Sequence, residues 1–177
     1  MRDNKKLAAD VYLPNGGTTS LPTILIQTPY NRLLYRYGLP LGIGLQINQS
    51  NYNIVIVDWR GSFGSSQAAV SQPNRGQDGY DVVEWIATQT WSDGNIGTWG
   101  PSALGKVQYL TAKEDPPHLK CIVPVVAAPY YNYSEYYPGG VLRTEYVQQL
   151  DQLGFGLGLF VYPNPYYNYL WQYSESA

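Results

Sequence analysis

Three short runs in the chain are apolar on consecutive residues rather than on alternate ones: Ile24-Leu25-Ile26, Ile54-Val55-Ile56-Val57 and Ile122-Val123-Pro124-Val125-Val126. A strand with one face in water alternates apolar and polar side chains, whereas a strand read as continuously apolar must be covered on both faces. Between these runs lie segments with helical spacing. Residues 78–88 place Val82, Val83, Ile86 and Ala87 on one face, with Asp78 as the expected N-cap and Asp81 in the first turn, where a negative charge suits the helix dipole. Strands are expected at residues 7–12, 22–27, 52–57, 95–99 and 121–126, with 95–99 central. Helices are expected at 39–48, 78–88 and 103–114, and a turn at 14–17. Strands alternating with helices mean an α/β fold, a mostly parallel sheet with helices on both faces.

Composition narrows the partners. Hydrophobic residues make up 44% and charged residues 14% of the 177, the balance of a chain that buries a core. The net charge of −2 with no basic run leaves no electrostatic footprint for nucleic acid or an anionic membrane. No apolar stretch is long enough to span a bilayer, and Met1-Arg2-Asp3-Asn4-Lys5-Lys6 is not followed by the apolar core of a signal peptide; compartment stays open. The single cysteine, Cys121, rules out a disulfide within the chain and is expected as a small buried hydrophobe in its strand. Many of the 18 tyrosines fall after position 129, in a stretch rich in Tyr, Asn, Pro and Gly. The organisation expected is an α/β portion at 1–128 and a loop-rich segment at 129–177 that packs partly by tyrosine stacking and carries little strand.

The sharpest chemical signal is Gly100-Pro101-Ser102-Ala103-Leu104-Gly105, set between the strand at 95–99 and a helical run. Glycines two before and three after the serine remove side chains where the backbone must bend and where helix and strand pack closely. Ser102 would then sit above the carboxyl end of a sheet, at the amino end of a helix that favours a developing anion. The plainer alternative is that Ser102 is only the N-cap of that helix.

Several further segments, in order, resemble the cocaine-esterase and X-prolyl dipeptidyl-peptidase branch of the α/β-hydrolases. They are Arg2-Asp3-Asn4, Leu7-Ala8-Ala9-Asp10-Val11-Tyr12-Leu13-Pro14, Thr28-Pro29-Tyr30 and Asp58-Trp59-Arg60-Gly61-Ser62-Phe63-Gly64-Ser65. Asp78-Gly79-Tyr80-Asp81-Val82-Val83-Glu84-Trp85-Ile86, Trp91-Ser92-Asp93-Gly94-Asn95-Ile96-Gly97, Pro117-His118-Leu119-Lys120 and Tyr137-Pro138-Gly139-Gly140 continue the match. The resemblance implies an incomplete α/β-hydrolase fold with Ser102 as nucleophile, the Tyr30 hydroxyl as one oxyanion-hole donor and the Ala103 backbone N–H as the second. It implies a small ester or peptide substrate and an acyl-enzyme. Two departures are Ala103, where the family usually has an aromatic residue, and Pro101, where a small or polar residue is more frequent.

An α/β-hydrolase draws its acid and histidine from loops beyond the nucleophile. The one histidine here, His118, follows a helix of about 12 residues spanning roughly 18 Å, and is expected at the far edge of the sheet. No residue is well placed as the triad base. An apolar strand at 121–126 without a further neighbour would leave an open edge, so the expectation is a segment of a longer hydrolase, with residues after 128 beginning a cap. The remainder of a longer chain, or a second copy, is the partner this implies. Neither a metal-ligand cluster nor a phosphate-loop lysine pattern is present, so no cofactor is expected. Asp58 is expected as a loop-ordering acceptor, Arg60 and Arg75 as partners of nearby carboxylates, and Trp85, Trp91 and Trp99 as packing residues. The alternative function is a non-catalytic binding or structural protein on a hydrolase scaffold, its tyrosines stacking on sugars or peptides.

Overall fold

The computed structural model describes residues 1–14, 20–37, 51–129 and 131–176. The expected helix at 39–48, most of the turn at 14–17, and Tyr130 lie outside the described residues. Two compact units divide the chain, Met1–Ala127 and Ala128–Ala177.

The first unit is built on a five-stranded sheet: β1 (Ala9–Tyr12), β2 (Leu21–Thr28), β3 (Asn53–Asp58), β4 (Ser92–Pro101) and β5 (Leu119–Val125), in spatial order β1-β3-β2-β4-β5. β1 runs antiparallel to β3, with Val11 opposite Val55. The other three pairings are parallel, with Leu25 opposite both Val55 and Thr98, and Trp99 opposite Val123. β4 therefore has a neighbour on each side, while β2 is the middle strand of the five.

Pleating explains two of the three continuous apolar runs; the third, in β5, is not covered on both faces as expected, Val123 and Val125 being 46% and 37% exposed on the outer strand. Leu25, Val55 and Val57 face one way and pack with Val82, Val83 and Ile86 of α1 (Arg75–Ala87) and with Ile96. Ile26, Ile54 and Ile56 face the other way and join Tyr35 and Leu104, with Tyr30 and Trp99 against them. Burying each such aliphatic side chain contributes about 1.5–3 kcal/mol. α2 (Ala103–Lys113) lies so close to α1 that a Cβ on Gly76 would stand 2.6 Å from the Leu110 carbonyl. Only glycine allows that approach.

Four sequence expectations need correcting. α1 begins three residues earlier than expected, because Asn74, not Asp78, is its N-cap and accepts from the Gln77 N–H at 3.1 Å. Asp78 is taken by Arg60, which reaches it at 2.6 Å and Asp3 at 2.6 Å. Arg75 has a different partner from the expected carboxylate: it donates to the Arg60 carbonyl at 2.9 Å and lies over Trp59. Trp85 is 44% exposed and touches Trp91 edge-on, whereas Trp91 and Trp99 are partly buried against the two clusters. Cys121 is exposed rather than buried, since β5 is the outer strand of the sheet and the facing Gly97 has no side chain to cover the sulfur.

The second unit carries α3 (Tyr133–Tyr136), α4 (Thr144–Gln152), α5 (Gly158–Val161) and α6 (Tyr169–Ser176), with no strand among its described residues. Trp171 is fully buried at its centre with Tyr136, Tyr137, Val147 and Val161. Its indole N–H donates to the Asn164 carbonyl at 2.8 Å. The Tyr133 and Tyr137 rings stack at 5.1 Å, and the Tyr137 hydroxyl donates to the Val161 carbonyl.

Candidate active site

β4 ends at Pro101 and α2 starts at Ala103, so Ser102 alone makes the turn between them. It does so at φ 51°, ψ −120°, a conformation that costs a non-glycine residue about 1–3 kcal/mol and persists only where surroundings enforce it. The surroundings here are specific. The Ser102 N–H donates to the Val125 carbonyl of β5 at 3.0 Å, and its own carbonyl accepts from Gly105 and Lys106 at 2.9 Å each. Gly100 holds φ 153°, and a Cβ there would stand 2.5 Å from the Leu104 Cβ. A Cβ on Gly105 would stand 2.5 Å from the Ala127 Cβ and 3.0 Å from the Gly100 carbonyl. The two glycines are thus the residues that let α2 turn back sharply on β4. Ser102 is exposed, and its side chain makes no capping hydrogen bond, so the capping alternative does not account for it.

A buried glutamine that sequence reasoning passed over fixes the turn from below. Gln108 is 1% exposed. Its Oε1 accepts from the Thr98 hydroxyl at 3.0 Å and the Val123 N–H at 2.9 Å, and its Nε2 donates to the Leu104 and Gly100 carbonyls at 2.9 and 3.2 Å. One amide therefore ties α2 to both β4 and β5. The available signal was an amide on the inward face of the helix, between Leu104, Val107 and Thr111.

Tyr30 lies two residues past the end of β2, and Ser102 one residue past the end of β4. Because β2 and β4 are parallel neighbours, both leave the sheet at the same edge. The Tyr30 ring and Leu104 of α2 share one apolar cluster. Burial pushes the Tyr30 hydroxyl above its ordinary range, so it stays protonated, a hydrogen-bond donor, at neutral pH. Ala103 is buried at the first position of α2, where a helix cannot satisfy its own N–H groups.

His118 is elsewhere. Its carbonyl accepts from the Ile96 N–H midway along β4, and its Nδ1 pairs with Glu84 Oε2 at 2.8 Å. From Ile96 to Ser102 the strand runs about 20 Å. Asp58 is fully buried and committed as an acceptor, from the Arg32 N–H at 2.7 Å, the Arg32 guanidinium at 2.6 Å and the Gly64 N–H at 3.1 Å. An apolar pocket of about 420 Å³ on the sheet face is lined by Ile24, Trp99 and Val123 among others, but not by Ser102 or Tyr30. Among the described residues no three His, Cys, Asp or Glu side chains stand together as metal ligands, and no helix is long and apolar enough to cross a membrane.

Comparison with known proteins places this architecture. The chain is 35% identical to cocaine esterase from Rhodococcus sp. (strain MB1 Bresler) over 147 residues, covering 82% of this chain and 25% of the relative. It thus spans about a quarter of the length of that curated relative. The crystal structure of a CocE/NonD family hydrolase from Staphylococcus aureus superposes with a TM-score of 0.56 at 31% identity, over 69% of this chain and 25% of that one. An α-amino acid ester hydrolase shares the fold, with a TM-score of 0.60 at 19% identity over 98% of this chain and 38% of that one. Residues 3–166 match the model of X-Pro dipeptidyl-peptidases (S15 family), and the chain accordingly belongs to that family of α/β-hydrolases.

Proposed function

We propose that Ser102 is the nucleophile of an acyl-transferring serine hydrolase that cleaves a small ester or peptide substrate. The observation that carries the proposal is the strained, exposed and uncapped Ser102 at the amino end of α2. In the proposed reaction the Ser102 Oγ attacks the substrate carbonyl, and the carbonyl oxygen takes up negative charge. The Tyr30 hydroxyl and the Ala103 N–H donate to that oxygen; a donor of this kind is worth about 3 kcal/mol in the transition state. Collapse expels the alcohol or amine and leaves the acyl group on Ser102, and water then releases the acid.

The Oγ proton needs an acceptor, and the far-edge His118 is not placed to be one. This chain alone therefore carries the acylation half of the site without its base, and we read residues 129–177 as the start of the cap region. Losing that base in a serine protease costs about a million-fold in turnover. The isolated chain is expected not to turn over esters or peptides, but to react slowly with a fluorophosphonate. The Oγ–phosphorus bond forms as fluoride leaves, and solvent takes the proton. Mass spectrometry should find the label on Ser102 and lose it in Ser102→Ala. Rapid stoichiometric labelling would show a base within the chain, and His118→Ala would then test the first candidate.

The pairing of the single histidine with Glu84, away from the serine turn, favours a second reading, a binding protein on a hydrolase scaffold. Absence of any Ser102 adduct after prolonged exposure would support it over the first.

A further inference from the structure

The residues immediately after Tyr30 are held by more charge pairing than a surface turn requires. Asn31 reverses the chain at φ 73°, and its side chain accepts from the Leu33 N–H at 3.0 Å. A short 3₁₀ helix, Arg32–Tyr37, follows directly. Two carboxylates from different strands grip it. Asp58, at the end of β3, binds both the backbone N–H and the guanidinium of Arg32, at 2.7 and 2.6 Å. Asp10, on β1, accepts from Arg32 Nε at 3.1 Å and from Arg36 Nε and Nη2 at 2.9 and 2.8 Å. Asp58 is fully buried and Asp10 nearly so. Gly64 donates its N–H to Asp58, and a Cβ there would collide with the Arg32 guanidinium and come within 2.8 Å of the Ala8 Cβ. Ahead of Tyr30, Thr28 completes the clamp: its Oγ1 accepts the Tyr30 N–H, and its carbonyl accepts from Trp59, the residue after Asp58.

Desolvating Asp58 is expensive unless it is fully paired, and every partner given above belongs to the turn around Tyr30 or to the loop of Gly64. The geometry points to Asp58 and Arg32 as positioning residues for the Tyr30 hydroxyl, a role resting on the proposed oxyanion function of Tyr30. The carboxylate fixes the backbone two residues beyond the tyrosine, Thr28 fixes it two residues before, and the Ile26, Ile56 and Leu104 cluster holds the ring. The hydroxyl is thereby held before a substrate arrives, which is how a donor avoids reorganisation during the reaction.

The test compares the unmodified chain with Asp58→Asn, Tyr30→Phe and the double variant. Selective ¹³Cζ-tyrosine labelling identifies the Tyr30 resonance by its loss in Tyr30→Phe. In Asp58→Asn that resonance should shift and the Arg32 and Leu33 amides should exchange at least about tenfold faster, with the Tyr136 resonance and the β2 amides unmoved. Fluorophosphonate labelling of Ser102 should slow by about tenfold or more in Tyr30→Phe, and by about tenfold in Asp58→Asn. The double variant should be no slower than Tyr30→Phe alone, because both changes act through one hydroxyl. An unmoved Tyr30 resonance, or an additive double variant, overturns the positioning role while leaving the oxyanion reading standing. An unchanged labelling rate in Tyr30→Phe overturns the oxyanion reading, and the positioning role with it. If Asp58→Asn does not fold, Arg32→Gln removes the guanidinium contacts with Asp58 and Asp10 and is compared by the Tyr30 resonance and the labelling rate, an unmoved resonance again overturning the positioning role.

Discussion

Arg60→Ala removes the centre of a buried ion-pair network. Arg60 is 6% exposed and makes contacts of 2.6–3.0 Å with both oxygens of Asp78, while Nη1 reaches Asp3 at 2.6 Å and the Ala68 carbonyl at 3.2 Å. Asp3 can turn to water, since its side chain is 40% exposed, but Asp78, at 9%, cannot. Truncating one partner of a buried pair and stranding the other charge costs about 3–5 kcal/mol. Against a typical total of about 5–15 kcal/mol, that is a large fraction of the fold's stability. At about 2–4 °C per kcal/mol for a chain of this size, Tm should fall by about 6–20 °C. Calorimetry and urea unfolding followed by tryptophan fluorescence would measure it. The physical cause is the stranded carboxylate, so Arg60→Met combined with Asp78→Leu should recover most of the loss. A fall in Tm below about 3 °C for Arg60→Ala, or a double variant less stable than the single, would refute the reasoning.

Ser102→Gly should raise the urea midpoint, because relieving about 1–3 kcal/mol of backbone strain outweighs the roughly 0.5–1 kcal/mol entropic cost of glycine; a lower midpoint would show that φ 51° is not strained here. Gly105→Ala should destabilise by up to about 2 kcal/mol, since overpacking against Ala127 and Gly100 at about 1–3 kcal/mol exceeds the gain of about 1 kcal/mol in helix propensity, and adding Ala127→Gly should restore part of it. Acid should unfold the protein progressively below about pH 5: pairing with Arg36 and Arg32 holds Asp10, and hydrogen bonds from Arg2 hold Asp81, below the ordinary 3.8, so their stabilisation, present above that value, is lost as pH falls through the folded pKa values. Base should act oppositely, through the buried Tyr35 and the partly buried Tyr146. Burial pushes Tyr35 and Tyr146 from 10.0 up to about 12, so their contribution is intact below pH 10 and disappears between about pH 10 and 12, readable as unfolding that runs alongside tyrosinate absorbance.

The strands and the serine turn were legible because the physics behind them is local. Apolar residues at consecutive positions require two covered faces, and β2 and β3 fill both faces with their own alternate residues. Glycines at 100 and 105 around a serine announce a close helix–strand turn, and the backbone at Ser102 has that form. The second unit was less readable. Asn, Pro and Gly interrupt every period there, yet four short helices form around Trp171, whose burial depends on tyrosines more than thirty residues earlier in the chain.

What tertiary structure alone decided is where charges and edges fall. Asp78 has the residue type and spacing of an N-cap, but Arg60 claims its carboxylate from eighteen residues away and the cap passes to Asn74. Cys121 sits in an apolar run, but its exposure follows from strand order. Asp58 and Arg32 are twenty-six residues apart, and Arg2 and Asp81 seventy-nine. Periodicity and turn chemistry act between neighbours in sequence and can be read one segment at a time. A buried ion pair or a sheet edge depends on which distant segments meet, and that is set only when the whole sheet has assembled.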